Sequence, residues 1–137
     1  MTTATRGATP YTLASWRLTP GCTALVVIDM QNDFLSEDGW YAQSGIDISH
    51  MQQSIEPVRA LVAAAREQQV PVIWTQHGFR DMTDAGVFAT LRGFMKDGGL
   101  RKGTWGYELI PEMETRPDDW FVEKNRLSGF FATNLDL

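Results

Sequence analysis

The sequence predicts an α/β fold, a doubly wound parallel sheet with helices on both faces. Three observations carry that expectation. The run from Ala24 to Met30 is short, apolar and rich in β-branched residues, the pattern of a strand buried on both faces. A segment of helical period follows it, and then a second apolar run, Val70 to Gln76. Strand, helix and strand within about 50 residues make a βαβ unit, which requires a right-handed crossover and parallel pairing.

Met1 to Pro20 is rich in Thr, Ala and Pro and reads as irregular, with Trp16 and Leu18 as candidate anchors to the body. Phe34 to Ile48, with Ser36, Gly39 and Gly45, reads as a loop. Met51, Ile55, Val58, Leu61, Val62 and Ala65 then recur at steps of three and four, one apolar helical stripe. Ser54 is the candidate cap, with Pro57 in the tolerated first turn; a start at His50 would instead set Pro57 deeper. Gly78 to Asp119 is long for a βα connection. It holds a short helix over Ala85 to Met95, a glycine-rich bend (Gly98, Gly99, Gly103) and a second short helix from Tyr107 to Met113. Trp120 to Lys124 is the third strand. Leu127 to Leu137 begins a further helix, with Ser128 as its cap. Three strands make half of a doubly wound sheet, so one edge of the first strand is expected to lack a partner, the mark of a fragment or of a sheet completed by another chain.

With 137 residues, 43% hydrophobic and 21% charged, the chain has the composition of one globular domain. A net charge of −5 argues against broad nucleic-acid binding, which wants a basic face. No apolar run reaches membrane length and none resembles a secretory signal, so the default expectation is a cytoplasmic protein without membrane or nucleic-acid partners. The single cysteine, Cys22, excludes an internal disulfide.

Ligands of open parallel sheets bind beyond the carboxyl ends of the strands. Two carboxylates, Asp29 and Asp33, stand at the end of the first strand. Asp33 reads either as a general acid or base or as a turn residue. Asp29, still inside the strand, reads as structural, bonded to neighbouring amides. Lys124 ends the third strand and would share that sheet edge, where a lysine favours an ionised carboxylate. Cys22 is a nucleophile by type but precedes the first strand, about 20 Å from Asp33 at about 3.3 Å per strand residue, so a small, partly buried cysteine is the better reading. His77 lies just past the second strand as a polar pocket contact. His50 and His77 are the only histidines, too few and too scattered for a metal site. Neither G-x-G-x-x-G nor G-x-x-x-x-G-K-[ST] occurs, so nucleotide binding lacks a motif.

The stretch "ALVVIDMQNDF", Ala24 to Phe34, resembles the first-strand motif of the isochorismatase-like cysteine hydrolases. "KNRLSGFFATNLDL", Lys124 to Leu137, is similar to their second motif. Helix His50 to Gln69 and strand Val70 to Gln76 fall in family order, and the resemblance runs from about Thr23 to Leu137. It implies residues 1–22 as an arm and 23–137 as the N-terminal portion of a single isochorismatase-like domain. It also implies a triad of Asp, Lys and Cys that cleaves a C–N bond, with Asp33 as acid and base and Lys124 as its partner. The family's cysteine follows a later strand, so no residue here matches the nucleophile and the chain alone is expected to be inactive. "RKGTWGYELIPEM" and "RLSGFFATNLD" look closest to amidohydrolases of ureido compounds, which implies a small amide or ureide substrate. Phe34, Gln76, His77 and Phe79 are carried over as substrate contacts. The Asp-x-His motif of metal-binding relatives is absent, so neither metal nor cofactor is implied; homo-oligomers are common in the family. Two other readings are a non-catalytic half-domain acting by association and a phospho-acceptor signalling module. The long excursion after the second strand fits the latter badly.

Overall fold

The computed structural model describes residues 21–91 and 98–136, and the expected anchors Trp16 and Leu18 lie outside them. Three parallel strands, β1 (Leu25–Ile28), β2 (Val72–His77) and β3 (Trp120–Lys124), form one sheet in the order β1-β2-β3. Val27 pairs with Trp74 and Trp74 with Phe121; one step on, Ile28 pairs with Thr75 and Thr75 with Val122. Neighbours in register share a face, so Val27, Val72 and Trp74 point one way, while Val26, Ile28, Thr75, His77 and Lys124 point the other.

The first face carries the core. Helix α4 (Ile55–Glu67) lays Val62 and Ala65 against Val27, Val72 and Trp74, with Ile110 and Met113 closing the far side. Each large side chain so buried contributes about 1.5–3 kcal/mol. Leu61, expected in the stripe, is exposed, because it lies about 100° around the helix from Val62. Ser54 takes the cap position, yet its hydroxyl donates to the Met51 carbonyl rather than accepting from the helix. Pro57 is the third helical residue, where a missing N–H costs nothing. The preceding turn, α3 (Ser49–Gln52), remains separate from α4.

The opposite face is different. Val26 and Ile28 of β1 and Trp120 of β3 are exposed there, Ile28 by 63%. Among the described residues β1 stands at one edge of the sheet.

Several local expectations are corrected. The segment taken as loop contains two single helical turns, α1 (Asn32–Leu35) and α2 (Trp40–Gln43). The helix expected over Ala85 to Met95 is two turns, α5 (Met82–Ala85) and α6 (Val87–Leu91), broken where Gly86 adopts φ 56°, ψ −137°. Residues 92–95 lie outside the described part. Tyr107 to Met113 holds two 3₁₀ turns instead of an α-helix, Trp105–Tyr107 and Pro111–Met113. The helix expected from Leu127 is absent among the described residues. Ser128 accepts from Phe130 N as a turn, the Thr133 hydroxyl bonds the Gly129 carbonyl, and Ala132 sits at φ 54°, which no right-handed helix allows.

Asp119 ties sheet to helix just before β3. Its Oδ2 accepts from Trp74 Nε1 and Arg66 Nη2, both at 2.8 Å, with the Arg66 and Asp119 side chains nearly buried. Asp119→Ala leaves a desolvated guanidinium without its counter-charge and is expected to cost about 2–4 kcal/mol in urea unfolding. Because the loss comes from the stranded charge, Arg66→Met added to Asp119→Ala should recover part of it.

Candidate active site

The site begins where β1 stops. Asp29 turns the chain with φ 57°, a left-handed conformation that Asp tolerates at some cost and that clusters at functional positions. Its amide still joins the sheet, donating to Thr75 O at 3.1 Å. Its carboxylate accepts from the Thr75 hydroxyl at 2.7 Å and from Lys124 Nζ at 2.5 Å. The Lys124 side chain is 2% exposed against 21% for Asp29. A buried ammonium requires an opposing charge, and the half-open carboxylate supplies it. Lys124 Nζ also donates to Leu127 O at 3.3 Å, drawing the chain after β3 over the strand ends.

His77 is the register partner of Lys124 on the same face. The buried amide of Gln31 brackets its backbone: Oε1 accepts from His77 N at 2.7 Å and Nε2 donates to His77 O at 3.0 Å. The imidazole Nδ1 lies 3.2 Å from the Arg126 carbonyl. A carbonyl only accepts, so Nδ1 carries the proton. Burial first, and then the Lys124 charge, hold the His77 pKa below the ordinary histidine value; Asp29 opposes them. His77 therefore stays neutral beside the ion pair.

These groups open on a cleft of about 540 Å³, lined in part by Asp29, Phe34, Trp40, His77, Leu100 and Leu127. That is the size of a small-molecule site. A groove of the same volume between α4 and the Pro111–Met113 turn lies away from the strand ends. Its Arg59 and Arg66 are already paired with acids, Glu56 and Asp119, so the chemistry belongs to the cleft. No cluster of three or more His, Cys, Asp or Glu able to hold a metal occurs among the described residues.

The expected partnership of Lys124 with Asp33 is not the one present. The chain turns at Asp29, and Asp33, one helical turn on in α1, faces the 98–107 segment instead. Its carboxylate accepts from Trp40 N at 3.0 Å and Leu100 N at 2.5 Å, and it is 6% exposed. A methyl group at Gly106 would overlap that carboxylate. Asp33 thus fastens two cleft-wall segments together, while Asp29, expected to be structural, holds the lysine.

Of the expected substrate contacts, Phe34 and His77 line the cleft. Gln76 is turned away, donating to Tyr107 O at 3.1 Å. Phe79 is buried with Ala85 and Leu100 and meets the His77 ring edge-on at 5.0 Å. Both support the wall from behind. Cys22, expected to be partly buried, is exposed, and it precedes β1 as expected. Thr75 and Gln31 were not anticipated. The only trace of either in the sequence is a polar side chain inside or directly after an apolar strand.

The fold and site define a parallel α/β domain with an acid–lysine pair at its strand ends, the placement of small-molecule sites in such sheets. The isochorismatase domain profile matches residues 23–137, and the chain belongs to the isochorismatase family. Ureidoacrylate amidohydrolase RutB of Agrobacterium fabrum is 38% identical, with 87% of this chain and 58% of that protein aligned. The Cronobacter sakazakii protein of the same name is 36% identical over 99% of this chain and 63% of its own length. Among solved structures, a cysteine hydrolase from Pseudomonas syringae pv. phaseolicola superposes with TM-score 0.76 at 31% identity, covering 88% of this chain and 55% of the other. N-carbamoylsarcosine amidase of Thermoplasma acidophilum gives 0.63 at 26%, covering 83% and 58%. The chain thus spans roughly three-fifths of the length of the two curated relatives named.

Two outcomes follow from this geometry. Asp33→Ala removes the acceptor of the buried Leu100 amide and of the part-buried Trp40 amide and is expected to cost about 2–4 kcal/mol in urea unfolding, with Asp33→Asn losing about half as much because one acceptor remains. The second concerns pH. A histidine whose pKa falls on folding binds its proton more weakly in the native state, so its contribution is present above the unfolded value, near 6.5, and is lost as pH falls through the folded pKa. Urea midpoints should therefore decline below about pH 6.5, the ordinary histidine pKa. His77→Gln should flatten that decline between there and the carboxylate range.

Proposed function

We propose that this domain carries the acid–base half of a C–N hydrolase acting on small ureides, with Asp29 as proton acceptor and donor and Lys124 as the cation paired with it. The observation that carries this reading is the 2.5 Å contact between a buried Lys124 ammonium and an Asp29 carboxylate that borders the cleft. Asp29 is preferred to Asp33 because it borders the cleft and meets Lys124, whereas Asp33 is 6% exposed and is held between the Trp40 and Leu100 amides. The nucleophile is a thiol from outside these 137 residues, in keeping with the family resemblance; Cys22 stands before β1, at the opposite end of the strand. Asp29 takes the thiol proton, the thiolate adds to the ureide carbonyl, and the C–N bond breaks as Asp29 returns the proton to the leaving amine. Water then releases the thioester carbonyl and regenerates the thiol.

The names of the relatives favour an amide or ureide substrate over other esters and ethers, and the neutral His77 beside Phe34 suits a planar, polar and uncharged scissile group. In full-length protein, Asp29→Asn should lower ammonia release from ureides by at least about a hundredfold, the ordinary worth of a general acid–base group. Lys124→Met should do the same, whereas Cys22→Ser should leave the rate unchanged. Turnover that survives Asp29→Asn and falls with Cys22→Ser would reject the assignment.

One observation favours a second reading, association through the sheet. Val26, Ile28 and Trp120 form an exposed apolar face beside the edge strand β1. Homo-oligomerisation through it would appear as a dimer or larger species in sedimentation, and Ile28→Glu would dissociate that species; a monomer at all concentrations rejects it.

A further inference from the structure

Lys124 alone does not fix the Asp29 carboxylate. An ammonium is a compact point charge on a flexible stem, and it reaches Oδ2, at 2.5 Å. The terminal torsion of an aspartate is soft and roughly two-fold, so one contact at one oxygen leaves the plane of the group free to turn. Asp29 also follows a strand that stands, among the described residues, at one edge of the sheet. It adopts a left-handed conformation, and its side chain is 21% exposed on the cleft. A proton acceptor so placed needs a second anchor.

Thr75 supplies it. Its hydroxyl donates to Oδ1 at 2.7 Å, while Lys124 takes the other oxygen. Its carbonyl accepts from the Asp29 amide at 3.1 Å, so one residue of the central strand holds both the backbone and the side chain of Asp29. Thr75 itself has little freedom. It is 1% exposed, and its methyl lies beneath the chain that follows β3: a methyl built on Gly129 would stand 3.9 Å from Thr75 Cγ2 and 4.0 Å from Lys124 Cδ. A β-branched side chain is stiff about its first torsion, so packing of the methyl sets the direction of the hydroxyl.

We propose that Thr75 is a positioning residue of this site: its hydroxyl holds the plane of the Asp29 carboxylate, so that the oxygen receiving the thiol proton stays aimed into the cleft. The inference rests on the hydrolase reading above and adds a residue that acts through Asp29 without touching substrate. The proton passes from the thiol to Asp29 and on to the leaving amine, and Thr75 keeps its own throughout. The same role accounts for a hydroxyl at 1% exposure in the central strand of an apolar sheet, since a valine there would offer Asp29 no donor.

Two substitutions separate the methyl from the hydroxyl. Thr75→Val keeps the packing and removes the donor; Thr75→Ser keeps the donor and removes the methyl. In full-length protein, with ammonia release from 3-ureidopropionate and biuret as the assay, Thr75→Val should lower kcat by about ten- to a hundredfold at an unchanged KM, the loss expected when a reacting group is misplaced by about 1 Å. Thr75→Ser should recover most of that rate. Crystal structures should show the Asp29 carboxylate turned about its terminal torsion in Thr75→Val and in the parent orientation in Thr75→Ser. A role in packing alone predicts the reverse order, with serine the more damaged, and in urea midpoint rather than in kcat per folded molecule. That reverse order, an unmoved carboxylate in Thr75→Val, or a Thr75→Val kcat equal to the parent's overturns the proposal. Asp29→Asn keeps the two readings apart. If it abolishes turnover while Thr75→Val does not, the positioning role fails and the hydrolase reading stands; turnover retained in Asp29→Asn defeats the hydrolase reading itself.

Discussion

A lysine ammonium at 2% exposure is the constraint on which the rest of the site depends. Water cannot solvate it, so the fold must bring a carboxylate to it, and the cost of failing to do so exceeds that of most packing errors. The sequence separation between Lys124 and Asp29 is 95 residues, so the pairing exists only because β1, β2 and β3 align in parallel with their ends level. Thr75, on the central strand, accepts no compromise in that alignment, since its hydroxyl must meet the other oxygen of Asp29. The left-handed turn at Asp29 is where the chain absorbs the resulting strain.

Asp33 solves a mechanical problem four residues later. The cleft wall is assembled from pieces distant in sequence, α1, the turn at Trp40 and the segment around Leu100. One buried carboxylate bridges them by accepting an amide from each of the last two. Gly106 has to be a glycine for this carboxylate to fit. The two acids of a single short motif therefore divide the work: one holds a charge, the other holds a wall. Their environments separate them, since Asp29 faces a cation and the cleft while Asp33 faces only dipoles.

The sheet was legible because its causes are local. Short apolar runs at Ala24 to Met30, Val70 to Gln76 and Trp120 to Lys124 have strand length, and the helical stripe between the first two fixed the crossover. The site was legible in its inventory of Asp29, Asp33, Lys124 and His77, but not in its pairings. Which carboxylate meets Lys124 depends on how the chain leaves β1, and a positive φ at Asp29 leaves no mark in composition or period. The turns that broke expectation share a cause as well. Gly86 and Ala132 take backbone angles that interrupt helical patterns, and segments of four residues are too short for periodicity to register. Leu61 was misplaced for a related reason: a stripe read at steps of three and four admits both neighbours of the true seam, and only packing chooses between them.

The cleft and the exposed sheet face are one problem rather than two. Ile28 belongs to both: it lines the cleft and is 63% exposed, and Leu127, beyond the end of β3, lines the cleft and is exposed as well. Apolar surface of this kind is stable when covered, and a partner that buries Ile28 must also lie over the outer side of Asp29, two atoms of chain away along β1. Such a cover would desolvate the ion pair, strengthen its coupling and exclude water from the mouth of the cleft.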